Sequence, residues 1–153
     1  MYRRIGETWE RLWSQRPREI KDRAILWRRG QTVTRLERPS RLDRARRLGY
    51  KGKQGFVVLR VKVGRGGMRR SRPRSGRRPK HAGVVKLKAA VSMQEVAENR
   101  VAKRYPNLHV LNSYYVFEDG RYYWYEVILV DPHHPAIIND KDLQWLVQKV
   151  SVK

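Results

Sequence analysis

The 153-residue chain contains no cysteine, which excludes disulfide bonds, thiolate metal sites and a cysteine nucleophile together. Acidic residues are scarce: 14 Asp and Glu stand against 36 Lys and Arg, a formal net charge of +22. No apolar run approaches the roughly 20 residues that span a bilayer. The opening residues, MYRRIGETWERLW, lack the uninterrupted apolar centre of a secretory signal. The expectation is a cytoplasmic protein with no membrane partner. Three catalytic or nucleotide-binding patterns are also missing: the Gly-x-Ser-x-Gly elbow, the Walker loop and the dinucleotide fingerprint. No cofactor and no small-molecule substrate is therefore expected.

What the chain has is charge of one sign, concentrated in one place. The stretch Arg38–Lys80 holds 17 Lys and Arg against a single acid, Asp43, whereas residues 105–146 hold two bases and six acids. Solvated protein surfaces normally mix both signs. A one-signed run of this length repels itself and is costly to keep compact unless a polyanion lies against it. Each Lys or Arg placed near a phosphate releases a condensed counterion, the sequence-independent part of nucleic-acid affinity. The run therefore reads as an RNA- or DNA-binding face. Its cations are Arg38, Arg41, Arg44, Arg46, Arg47, Lys51, Lys53, Arg60, Lys62, Arg65, Arg69, Arg70, Arg72, Arg74, Arg77, Arg78 and Lys80. Tyr50 and His81 are candidates for stacking on unpaired bases, with Trp9 and Trp13 as further aromatic candidates.

Hydrophobic residues make up 40% of the chain, enough for a small core. Ile5, Trp9, Leu12 and Trp13 form one stripe of a helix, and Pro17 opens a second helix carrying Ile20, Ala24 and Trp27 that Gly30 stops. Helical spacing favours these tryptophans as pins that hold the helices to the body rather than as base-stacking platforms. QTVTRLE suggests a short edge strand, and Pro39 prevents its continuation. Ser40 with Asp43 suggests a capping box, Gly49 a stop, and the short helix between them exposes Arg41, Arg44, Arg46 and Arg47. GFVVLRVKV alternates as a strand, with Val57, Leu59, Val61 and Val63 on one face and Phe56, Val58, Arg60 and Lys62 on the other. The Gly-, Pro- and Arg-rich segment from about Gly64 to Gly83 forbids a packed core and reads as a long loop, mobile alone and ordered on RNA.

Ser92-Met-Gln-Glu95 is a stronger capping box, followed by the buried stripe Met93, Val96, Ala97 and Val101 and by the stop Pro106. LHVLNSYYVF and RYYWYEVILV flank an Asp119-Gly120 hairpin signal and are apolar or aromatic on both faces, which places both mid-sheet. Asn139 is the expected cap of a short helix with Leu143 and Leu146, and a last strand or tail closes the chain.

The string RLDRARRLGYKGKQGFVVLRVKVGRGG resembles the archaeal and eukaryotic type of large-subunit ribosomal protein fifteen, the fifteen-e family. The likeness continues in register through SMQEVAENR, YPNLHVLNSYYV, EDGRYYWYEVILVDPHHPAI and NDKDLQWL, and the hairpin and its DPHHPAI ending look archaeal. The N-terminal helices match more loosely, in their aromatic and basic pattern. The resemblance implies an α+β fold, a small antiparallel sheet packed with helices and carrying basic helical and loop extensions. It implies an N-terminal helical extension over residues 1–37 and an rRNA-binding domain over 38–153 that contains the loop. The implied function is structural, in the large subunit on cytoplasmic ribosomes, with 23S-type rRNA and neighbouring large-subunit proteins as partners and no catalytic residues. Carried over residue by residue, its RNA-contacting pattern falls on Arg44, Arg46, Arg47, Tyr50, Lys51, Lys53 and Gln54 and on the loop arginines. Family members continue with a further basic tail beyond the point that Lys153 matches, and contacts of that tail are not carried over.

Three rival functions share parts of this pattern. Asp131, His133 and His134, with Glu126, Asp119 and His109 near in sequence, are the donors of a metal-dependent nuclease. Adjacent histidines in a strand, however, point to opposite faces, and no helical i, i+4 pair exists. A general nucleic-acid-compacting protein shares the charge, but its cations belong on a regular helix or ribbon that fits any duplex. Here they sit in an irregular loop suited to a folded RNA. Membrane-surface binding is weakened by Glu7, Glu10 and Asp22, which share the helices of the Trp stripe.

Overall fold

The computed structural model describes residues 2–15, 17–67, 71–84 and 90–151. In chain order its elements are α1 (Tyr2–Gln15), α2 (Arg18–Arg29), β1 (Val33–Leu36), α3 (Leu42–Arg47), β2 (Phe56–Gly64), α4 (Met93–Arg104), β3 (His109–Glu118), β4 (Tyr122–Val130), α5 (Pro135–Ile138) and α6 (Gln144–Ser151). The four strands form one antiparallel sheet in the order β1-β2-β4-β3, with helices on both faces. This is the expected α+β class.

Alternation along β2 decides which side chains meet which layer. Leu59, Val61 and Val63 join Tyr125, Val127 and Leu129 of β4 in one core cluster, closed by Ala97 and Val101 of α4. That helix starts where expected, with the Ser92 hydroxyl accepting the Glu95 N–H at 3.1 Å, and it ends at Tyr105, before Pro106. On the other face, Val116, Phe117, Trp124 and Ile128 pack against Ala24 of α2 and Ala45 of α3, with Trp9, Trp13 and Trp27 laid over them. Trp13 meets the Phe117 ring edge-on at 4.8 Å, and Trp27 meets the same ring at 6.0 Å. The tryptophans are thus pins between the N-terminal helices and the sheet.

Four expectations are corrected by the structure. β4 lies mid-sheet and is buried from Trp124 to Val130, but β3 is an edge strand. Its register with β4 shifts between Val110 and Asn112 and again between Tyr115 and Phe117, irregularities that blunt an edge against unwanted pairing. The Ser40–Asp43 capping box does not form: Arg41 occupies the cap position, and the Ser40 N–H is drawn to the buried Glu126 carboxylate at 3.0 Å. A carboxylate in the core of a sheet demands donors more strongly than a helix end at the surface does. Asp140, not Asn139, caps the last segment, accepting the Asp142 N–H at 3.1 Å. The helix expected to carry Leu146 forms as α6, which buries Leu146 beside Ile137, Leu143 and Val130, but it runs on to Ser151 where a closing strand or tail was expected.

Gly55 is required where the chain enters β2. Its φ is +89°, and a Cβ there would lie 2.5 Å from Ile137 Cγ1 of α5. The close approach sets the entry to β2 against α5, and Lys51 and Lys53 just before it reach Asp140.

Candidate nucleic-acid interface

Contacts within the fold sort the cations of the basic run into two groups. The first group is engaged by the fold, with Arg65 remaining exposed. Arg41 is half-buried, bonds the Asp43 carboxylate at 3.3 Å and lies 5.4 Å from the Trp9 ring. Arg60 covers the Trp27 ring at 4.1 Å, where burial lowers its pKa without discharging a guanidinium. Lys62 donates to the carbonyls of Arg28 and Gly30 at 2.8 and 2.9 Å, satisfying the C-terminal end of α2. Lys51 reaches Asp140 at 2.8 Å and Asp142 at 2.6 Å, and Lys53 binds Asp140 together with the Ala136 carbonyl at 2.9 Å. Those hydrogen bonds raise the Lys51 pKa and hold that of Asp140 well below the usual carboxylate range, Lys51 being the larger cause. Arg65 donates to the Asp119 carbonyl at 2.8 Å and lies over the Tyr123 ring at 4.9 Å.

The second group faces water. Arg44, Arg46 and Arg47 stand exposed on α3, whose inner side buries Ala45 and Asp43. Arg46 leans on Tyr2 of α1, donating to its hydroxyl. Arg38, Gln54, Arg72, Arg74, Arg77, Arg78, Lys80 and His81 are exposed, the last two in the short 3-10 turn Pro79–His81. Among the described residues, Arg38, Arg44, Arg47, Arg72, Arg74, Arg77, Arg78 and Lys80 have no carboxylate partner. Arg69 and Arg70 lie outside the described residues. Tyr50 is half-buried and meets Phe56 edge-on at 5.8 Å, so its ring belongs partly to the core.

Tyr2 and Arg3 lie outside the basic run and join its face only in the fold. Docking of α1 brings both to a cleft that Arg44 and Arg47 also line. The signal was present in the Tyr-Arg-Arg at the start of the chain, but only packing of α1 on α3 shows what it faces.

The histidine cluster has another role. His134 is not in a strand: its Nδ1 accepts the Ala136 N–H at 3.1 Å and caps α5, while Asp131 accepts the His133 N–H at 3.0 Å in the preceding turn. Both side chains serve the turn into α5.

The family model described as Ribosomal L15, of the L15e type, matches the chain over residues 1–153. The chain belongs to this family. The large ribosomal subunit protein eL15 of the archaeon Metallosphaera sedula is 58% identical to it over 127 residues, 83% of this chain. That alignment covers 59% of the relative, so the chain spans less than two thirds of its length. The archaeal relative is by its name a protein of the large ribosomal subunit.

Proposed function

We propose that the chain is a structural component of the large ribosomal subunit that binds and stabilises folded, 23S-type rRNA. The observation that carries this is the split within the basic run. A folded α+β body uses one set of cations to hold itself together and presents a second, unpaired set on α3, at Arg38 and along residues 72–80. Arginine forks of that set bridge phosphates that RNA folding draws together, each holding two oxygens. Family membership and the archaeal relative support the ribosomal setting, and with it cytoplasmic ribosomes and neighbouring large-subunit proteins as contacts. The role is architectural rather than catalytic: the residues of the nuclease reading, His134 and Asp131, form a helix cap and a turn.

The test is a competition near physiological salt between large-subunit rRNA fragments, duplex DNA and an unrelated structured RNA. Affinity at low salt decides nothing, because any polyanion binds there. Contacts fitted to the shape of one rRNA site survive as salt rises. At least one rRNA fragment should win by a factor of about 100, roughly 2.7 kcal/mol. A ranking set by length and charge alone would show a compacting protein instead.

A further inference from the structure

Where α2 ends against β1 and β2 the fold leaves a pocket of about 170 Å³, lined by Leu26 and Trp27 of α2, Gly30 just past its end, Thr34 of β1, Arg60 of β2 and Trp124 of β4. Arg60 is held here by one contact only. Its guanidinium lies over the Trp27 ring at 4.1 Å, yet its five N–H groups have no hydrogen-bond or carboxylate partner among the described residues. Those nitrogens are open to solvent although the side chain is half-buried, unlike Nε of Arg41. Glu126, opposite Arg60 in the β2–β4 register, accepts from the Ser40 N–H and the Tyr114 hydroxyl and forms no ion pair with it. Lys62 is tied to the carbonyls of Arg28 and Gly30. Burial lowers the Arg60 pKa, the Glu126 charge offsets part of that, and the Arg23 charge of α2 adds to it. A guanidinium does not discharge, so it carries this penalty until an anion meets it.

The rim of the pocket says which anion fits. Leu26 is 67% exposed and Ile25 beside it 41%, an aliphatic pair bare to water between Arg23 and Arg28. RNA phosphates are framed by ribose and water and leave such side chains unburied. They are drawn to clusters of cations facing water, which this protein carries elsewhere, on α3 and along residues 72–80. A carboxylate next to an aliphatic side chain uses both halves of the site. The Arg60 fork takes its two oxygens, and the aliphatic neighbour covers Leu26 and Ile25. Arginine is the residue that carries bidentate, partly desolvated pairs across protein interfaces, where a few anchors hold most of the affinity. We propose that this pocket docks an acidic segment of a neighbouring protein, an Asp or Glu set beside an aliphatic residue. Arg60 is its anchor, and the hydroxyl of Thr34, opposite Arg60 in the β1–β2 register, is a second donor. The proposal goes beyond the rRNA reading and stands or falls without it.

The full chain, labelled with nitrogen-15, is titrated near physiological salt with the peptide acetyl-Ala-Leu-Glu-Leu-Ala-amide. Two control peptides replace its Glu by Gln or both its Leu by Ser, and a hexauridylate stands for RNA. The Glu peptide should shift the amide resonances of Gly30 and Thr34 and bind about tenfold more tightly than the Gln peptide, equivalent to about 1.4 kcal/mol. The Ser peptide should bind about fivefold more weakly than the parent, for want of buried aliphatic surface. Arg60→Lys keeps the charge but not the fork and should lower the preference for Glu over Gln to about threefold or less. Because that change can also disturb Trp27, Leu26→Ser on the exposed helix surface supplies a second reading, about threefold weaker binding of the Glu peptide at unchanged Tm. Equal binding of the Glu and Gln peptides, no shift with the Glu peptide at millimolar concentration, or full binding in both variants would each overturn the proposal. So would a hexauridylate that shifts the same amides and displaces the peptide, which would make the pocket an RNA contact. The rRNA competition is a separate measurement: a chain that selects an rRNA fragment yet ignores the peptide keeps the ribosomal reading and loses this pocket. One that binds the peptide without selecting rRNA does the reverse.

Discussion

Replacing Trp27 by Ala tests whether the N-terminal helices are held by their tryptophans or offer them to RNA. The ring packs against Phe117 at 6.0 Å and Trp124 at 6.1 Å, with the Arg60 guanidinium 4.1 Å above it. Trp27 is half-buried. An aromatic side chain of this size buries about 200 Å² when fully enclosed, so about 100 Å² is at stake here, roughly 2.5 kcal/mol at ~25 cal/mol per Å². Loss of the cation–π contact adds about 0.5–1 kcal/mol. The change should therefore cost about 3 kcal/mol, a fall in Tm of roughly 6–12 °C for a chain of this length. Trp27→Phe should recover about half of that, since it keeps an aromatic face under Arg60. Thermal unfolding followed by near-ultraviolet circular dichroism reads the loss, and rRNA affinity is measured well below the transition. If Tm fell by less than about 2 °C while rRNA affinity dropped tenfold, the ring would belong to an RNA contact and the packing argument would be wrong.

Leu129 is fully buried between β2 and α4, and Leu129→Ala should cost about 2–5 kcal/mol in urea unfolding, with no effect on rRNA selectivity among the molecules that remain folded. Asp140, whose pKa is depressed first by Lys51 and then by Lys53, contributes stability that is complete above the unfolded carboxylate value near 3.9 and is lost as pH falls through its folded value. Acid unfolding curves should therefore lose a step below about pH 4 in Asp140→Asn; a variant with the same acid profile as the parent would remove this pair from the account. Amides of residues 71–84 should exchange quickly in the free chain and slow down on an rRNA fragment, because the segment has few apolar anchors and eight exposed cations and polar groups repel or hydrate it. Strong protection in both states would mean that this segment folds without RNA.

Most of the architecture was legible because period-two alternation and capping chemistry act locally. β2 could be assigned, face by face, from Val57, Leu59, Val61 and Val63, and the start of α4 from Ser92 and Glu95 alone. The errors fall where a distant partner outbid a local one. Ser40 looked like a helix cap until Glu126, 86 residues away, drew its N–H into the sheet. Asn139 looked like a cap until Asp140, held between Lys51 and Lys53, took that position. β3 looked central because both its faces are apolar, yet apolar faces report covering layers and not neighbouring strands. One face lies under α4 and the other under α1 and α2, while only the outer edge is open, and no sequence period encodes an edge.

The candidate face shows the same limit in charge. Cations were countable in the sequence, but their engagement was not, because apart from Asp43 beside Arg41 the acids that engage them lie about 50 to 90 residues further along. Asp119 binds Arg28 at 2.8 Å, Glu118 is 3.8 Å from Arg65, and Asp140 holds Lys51 and Lys53. The acidic half of the chain thus folds back to neutralise part of the basic half, and within the basic run what remains exposed and without a carboxylate partner, among the described residues, is the set on α3, at Arg38 and along residues 72–80. The salt dependence of rRNA binding can tell the two sets apart. Each phosphate neutralised adds about 0.7–0.9 to the slope of log affinity against log salt. Replacing Arg44 and Arg47 together by Gln should lower that slope by about 1.4–1.8 and leave Tm nearly unchanged. Replacing Lys51 and Lys53 together by Gln should do the opposite, lowering Tm because Asp140 loses both partners while the slope stays constant. A slope that fell equally in the two variants would mean that the lysines leave Asp140 for phosphate when RNA binds, and the division of the basic run into an inner and an outer set would not survive.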